Sequence, residues 1–171
     1  MACLQTLNGL SLGCDTSLGG LKKIMIAPWE ENIFVLGTGD TVTGVSSSST
    51  WYSYAFRKGQ ASFTTEQTKD DANGVNYFTS TIDITFTRMQ ADKWMEINAL
   101  TIGDFAVIAQ DSNGTYHCFG VDEPVTSNGG TVAQSGAAKG DGNFYQIHLT
   151  DDSQTIPRIY SGTEPEDHTG N

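Results

Sequence analysis

Between Phe78 and Thr87 the chain keeps a period of two: Phe78, Ile82, Ile84 and Phe86 share one side, and Thr79, Thr81, Asp83, Thr85 and Thr87 share the other. Successive side chains of a strand point to opposite faces, so this segment covers a core with one face and meets water, or a wet lumen, with its other. A row of Thr suits the second face, because Thr favours strands and is hydrophilic. Any fold for this chain has to supply apolar cover for one side of this strand and leave the other side wet.

The rest of the chain offers more strands of the same kind. "LKKIMIAPW" from Leu21 is stopped by Pro28, and "NIFVLGTGD" from Asn32 is stopped by Gly37 and Gly39. In "TWYSYAFRKG", Trp51, Ser53, Ala55 and Arg57 take one face and Tyr52, Tyr54 and Phe56 the other. Asn73-Gly74 marks a turn, "DFAVIAQ" and "TYHCFG" form a hairpin around "DSNG", "NFYQIHLT" is a last alternating strand, and "TIPRIY" is a short edge. The period changes only at Gln90, after which Ala91, Trp94, Met95, Ile97 and Leu100 recur at helical spacing until Gly103. These elements predict a mainly β (α+β) fold, a β-sandwich or rolled barrel with one flanking α-helix at about residues 90–100.

A length of 171 residues fits one domain with its own core. Residues 1–20, rich in Gly, Ser, Thr and Leu without a lasting period, read as an extended arm. Residues 21–160 then form the sandwich, with a Gly-rich long loop or flexible β-excursion at 121–142, and the acidic segment 161–171 reads as disordered. Nine Lys and Arg against 20 Asp and Glu give a formal net charge of -11. That balance argues against binding DNA by phosphate neutralisation, and it suits a surface that DNA slides past without sticking.

Catalytic chemistry finds little support. His117 and Cys118 are neighbours on a strand and point to opposite faces, so they form no dyad; His148 reads as an ordinary sheet residue and His168 falls in the tail. The pairs Glu30-Glu31, Asp70-Asp71, Asp122-Glu123 and Asp151-Asp152 stand beside turn signals and read as solvated loop charges. "DSNGTY" and "KDDANG" lack the ligand spacing of a calcium loop, and "GAAKGDG" lacks that of a phosphate loop. Cys3, Cys14 and Cys118 form neither a disulfide framework nor a zinc site. No catalytic residue, metal or cofactor is therefore expected. The N-terminus carries no basic residue before Lys22 and no unbroken apolar run, so neither export nor membrane binding is expected. Trp29, Trp51 and Tyr52 are the aromatics that would serve a secreted glycan-binding module, the alternative from a different functional class.

"GGLKKIMIAPW", "YAFRKGQASFTTEQ", "NGVNYFTSTIDITFTRM", "ALTIGDFAVIAQDSNGTYHCFG", "GAAKGDGNFYQIHLT" and the terminal "IPRIY" together resemble the tail tube, or major tail, proteins of bacteriophages, especially those of Bacteroides-like hosts. The resemblance runs from about Leu21 to Tyr160. It implies a structural virion protein, assembled in the cytoplasm of the bacterial host. Such proteins form hexameric rings that stack into a tube, join other tail proteins and let DNA pass through the lumen during ejection. On that reading Thr79, Thr81, Asp83, Thr85 and Thr87 face the lumen, Leu4, Leu7, Leu10, Leu12 and Leu18 form an inter-subunit arm, and Asn128, Gly129, Gly130, Thr131 and Val132 form an inter-ring loop. A ring, adaptor or tail-completion protein is the alternative within the same class.

Overall fold

The computed structural model describes residues 9–10 and 16–169. Leu4, Leu7 and Leu12 of the expected arm lie outside them. In chain order the described residues form β1 (Leu21–Pro28), β2 (Phe34–Leu36), a 3-10 turn (Thr38–Asp40), β3 (Val42–Val45), β4 (Tyr52–Ala55), β5 (Ala61–Asp70) and β6 (Val75–Thr87). They continue with α1 (Ala91–Ile102), β7 (Phe105–Asp111), β8 (Tyr116–Phe119), β9 (Thr126–Ser127), β10 (Val132–Gln134), β11 (Phe144–Ser153) and β12 (Arg158–Tyr160). A seven-stranded sheet runs β2-β3-β12-β8-β7-β1-β4, and a second runs β10-β11-β6-β5 with β9 also on β11. The fold is the expected mainly β sandwich with a single α-helix among the described residues.

Two cores follow from how strand parity divides the apolar residues. Between the sheets, Ile24, Ile26, Val107, Ala109 and Phe119 meet Ile82, Ile84, Ile147 and Leu149, with Leu100 and Val125 in the same cluster. The alternating residues of the same strands, Met25, Ala27, Ala106, Ile108 and Cys118, face the other way and join Ile33, Phe34, Val42, Trp51 and Tyr160. The larger sheet is thus buried on both faces at β1 and β7, which is why those strands read as continuous apolar runs. Trp51 is 1% exposed, tilts against Phe34 and donates its indole N–H to Ser49 Oγ at 2.8 Å.

Gly120 ties the end of β8 to its surroundings. Its φ of +82° and the 2.9 Å that would separate a Cβ from the Phe105 carbonyl oxygen exclude any side chain there. Its N–H donates to Asp151 Oδ1 at 3.1 Å, and its carbonyl accepts the Trp29 indole N–H at 2.9 Å.

Several expectations are corrected. "TIPRIY" is no edge: β12 pairs antiparallel with β8 and parallel with β3, so it lies inside the larger sheet. Of the two readings of the 121–142 stretch, the β-excursion holds and the free loop does not, because β9 and β10 both pair with β11. Over 161–169 the acidic tail is packed: Pro165 is buried, and Glu164 takes Lys23 as an ion pair and the Tyr116 hydroxyl at 2.9 Å. Asp167 bridges Trp51, and the His168 N–H donates to the Trp51 carbonyl at 2.9 Å. Low apolar content misled the sequence reading here, because Pro165 is the one buried residue over 161–169 and polar groups make the other attachments. Of the helical residues, Ile97 and Leu100 are buried, whereas Trp94 and Met95 face outward at 56% and 66% exposure.

Candidate functional site

Thr79, Thr81, Asp83, Thr85 and Thr87 do share one face of β6, turned away from the inter-sheet core. Pairing with β5 and β11 extends them into rows across the sheet: Glu66–Thr79–Asp152, Thr64–Thr81–Thr150 and Ser62–Asp83–His148. Gln146 stands beside Thr85, and Phe144 beside Thr87. The Thr79 hydroxyl donates to Asp152 Oδ1 at 2.6 Å, and His148 Nδ1 pairs with the Asp83 carboxylate. No Lys or Arg stands in these rows, so the face offers hydroxyls, carboxylates and one imidazole. A polyanion meets neither a guanidinium fork nor an ammonium there.

The same sheet ends unfinished at both sides. Among the described residues the ten-residue β5 pairs only with β6, and β9 and β10 pair only with β11. Beyond Ser153, where β11 stops opposite Phe78, β5 and β6 continue alone to the Asp70–Val75 pair. Every residue from 66 to 77 is exposed, so this hairpin stands clear of the sandwich. A lone two-stranded hairpin is marginally stable in water, and a long open strand edge invites pairing with another chain.

Asn128, Gly129, Gly130, Thr131 and Val132 form the exposed turn between β9 and β10, close to the β11 edge, where the Asn128 N–H donates to the His148 carbonyl at 3.3 Å. At the other end of the chain the arm has a fixed root. The Leu18 N–H donates to Asn113 Oδ1 at 2.9 Å, Asn113 Nδ2 returns a bond to the Leu18 carbonyl, and Ser112 Oγ donates to the Gly19 and Gly20 carbonyls at 3.0 Å. Beyond that root, Leu10 is fully exposed and Leu18 is 63% exposed.

The residues weighed for chemistry sit apart. His117 packs against Phe63 and lies 3.4 Å from Asp111, whereas Cys118 is buried in the opposite core, where burial pushes its thiol up. Among the described residues no three His, Cys, Asp or Glu gather where they could hold a metal ion, and no helix is long and apolar enough to cross a membrane. The three aromatics weighed for a sugar platform do not gather: Trp51 is in the core, the Trp29 indole is bonded to Gly120, and Tyr52 faces solvent.

Asp151 corrects the reading of Asp151-Asp152 as loop charges. It lies inside β11 at 4% exposure. Burial pushes its carboxyl up to about 6; Asp122 and Asp152 push the same way, against the Gly120 N–H and Arg158. An acid with a raised folded-state pKa stabilises the fold below its unfolded value of 3.8, and that stability is lost as pH rises through about 6. At about 1.4 kcal/mol per unit, Asp151→Asn, which keeps an acceptor for Gly120, is expected to stabilise the protein by on the order of 1–3 kcal/mol above pH 6. Paired urea melts across pH check this: the gain should vanish below the unfolded pKa, and a gain independent of pH would refute the cost of the buried charge.

No protein-family model matches the chain, and neither a curated protein nor a solved structure does.

Proposed function

We propose that this chain is a structural subunit that assembles with copies of itself into stacked rings, forming a phage tail tube through which DNA is ejected. The observation that carries the reading is the β10-β11-β6-β5 sheet, with an uncharged or acidic outer face and two unpaired edges. Pairing β5 of one copy with the β9–β10 side of the next satisfies the open backbone groups, and a contact between two different edges closes into a ring. Thr79, Thr81, Asp83, Thr85 and Thr87 then line the lumen, where like charge and small hydroxyls let DNA pass non-specifically. The exposed 66–77 hairpin, the N-terminal arm and the 128–132 turn are the segments available for contacts between rings and with other tail proteins. The protein would then be found in the virion, after assembly in the host cytoplasm.

Negative-stain electron microscopy over a concentration series, with light scattering for mass, tests the reading. Long hollow tubes of stacked rings are expected. Discrete rings that never stack would move the assignment to an adaptor or completion protein. A strict monomer at high concentration would overturn both, and would return weight to a binding module.

A further inference from the structure

The helix carries a second apolar face that the fold does not use. Ile97 and Leu100 point into the core, whereas Ala91, Trp94, Met95 and Ile102 recur at spacings of three, one and seven along the solvent side, with the uncharged Asn98 between Trp94 and Ile102. Exposures of 56%, 66% and 84% for Trp94, Met95 and Ile102 leave three large side chains in water along one short helix. Contiguous apolar patches of this kind mark interaction surfaces more often than isolated exposed residues do. Two of the helix's three charges are already engaged: Lys93 Nζ donates to the Thr87 and Arg88 carbonyls, and Glu96 accepts the Tyr54 hydroxyl at 2.8 Å. The stripe therefore fits an uncharged, apolar occupant.

The chain contains such an occupant. Met1 to Cys14 holds no Asp, Glu, Lys or Arg and carries Leu4, Leu7, Leu10 and Leu12. Leu10, the one of these among the described residues, is fully exposed. The segment is rooted at the Leu21 end of β1, on Ser112 and Asn113. The helix ends at the other end of that strand, since Phe105, three residues past Ile102, pairs with Pro28. Those ends are roughly 23 Å apart at a strand's rise per residue, and eighteen extended residues reach about 60 Å. A neighbour placed end to end brings its helix within reach of the segment, and such a contact repeats from copy to copy.

We propose that the stripe formed by Ala91, Trp94, Met95 and Ile102 is the seat for the leucine-bearing N-terminal segment of a second copy. The inference rests on the self-assembly reading and gives one of its contacts a receptor. Full-length chain with a photoreactive benzoylphenylalanine in place of Met95 is mixed with isotope-labelled chain, irradiated and digested with trypsin. The first cleavage site is Lys22, so the segment is released as Met1–Lys22. Crosslinks from position 95 to Met1–Lys22 that join labelled to unlabelled chain are the expected result, and Trp94→Glu in the same chain should abolish them. Crosslinks only within one chain, crosslinks to another peptide, or none at all would overturn the proposal. Microscopy of the same sample separates the two failures. Tubes with the crosslink elsewhere sink this contact and leave the tube reading standing, whereas the expected crosslink without tubes or rings does the reverse.

Discussion

Deleting residues 2–18 is expected to leave a folded protein that forms no polymer. Such a deletion removes the two Leu18–Asn113 bonds of the root but keeps those of Ser112 to the Gly19 and Gly20 carbonyls, and no residue of the two cores is removed. Thermal unfolding followed by circular dichroism should therefore stay close to that of the full chain, while light scattering should lose every species above the single ring. A truncated chain that still made tubes would rule out the arm as the link between rings. An unfolded one would contradict the independence of the cores from the segment.

Trp51→Ala is expected to have the largest effect on stability of any single substitution considered, a loss of about 3–5 kcal/mol, the usual cost of truncating a buried Trp. Trp51 fills the core on the far side of the larger sheet, where Phe34, Val42 and Tyr160 converge, and its backbone carries the bridge to the C-terminal tail. The cavity would loosen that tail as well, since the His168 N–H depends on the Trp51 carbonyl. Urea denaturation gives the number; a change below about 1 kcal/mol would mean that the site collapses around the smaller side chain.

The elements best read from the sequence are those whose pattern is set by one strand and one core. The Phe78–Thr87 alternation, the Asn73-Gly74 hairpin, the turn after Asp111 and the helix all stand close to where the period and the turn residues put them. What escaped depends on partners distant in the chain. β12 looks like an edge because three residues show no pattern, yet β3 and β8 flank it from more than a hundred and about forty residues away. Asp151 looks like a turn charge because Asp152 follows it, while strand parity sends only Asp151 inward to Gly120. In the helix, spacing put Ala91, Trp94, Met95, Ile97 and Leu100 in one apolar set, and nothing local shows that only Ile97 and Leu100 of them are buried.

Burial of β1 on both faces changes what holds it in place. In most sheets a slip by one residue carries apolar side chains into water, and that penalty enforces alignment. Here a one-residue slip trades Ile24 and Ile26 for Met25 and Ala27, moving each pair from one dry interior to the other, and only Lys23, which would enter the place of Ile24, carries a charge inward. Along Ile24–Ala27 themselves, polarity is blind to such an error. Size is not: Ala27 lies opposite Ala106, both fully buried, and a slip would press an Ile into the space of that alanine pair while hollowing the opposite core. The alignment of β1 is therefore enforced by the fit of volumes together with the charge of Lys23, and the small residues of β1 and β7 specify the fold as strictly as its large ones do.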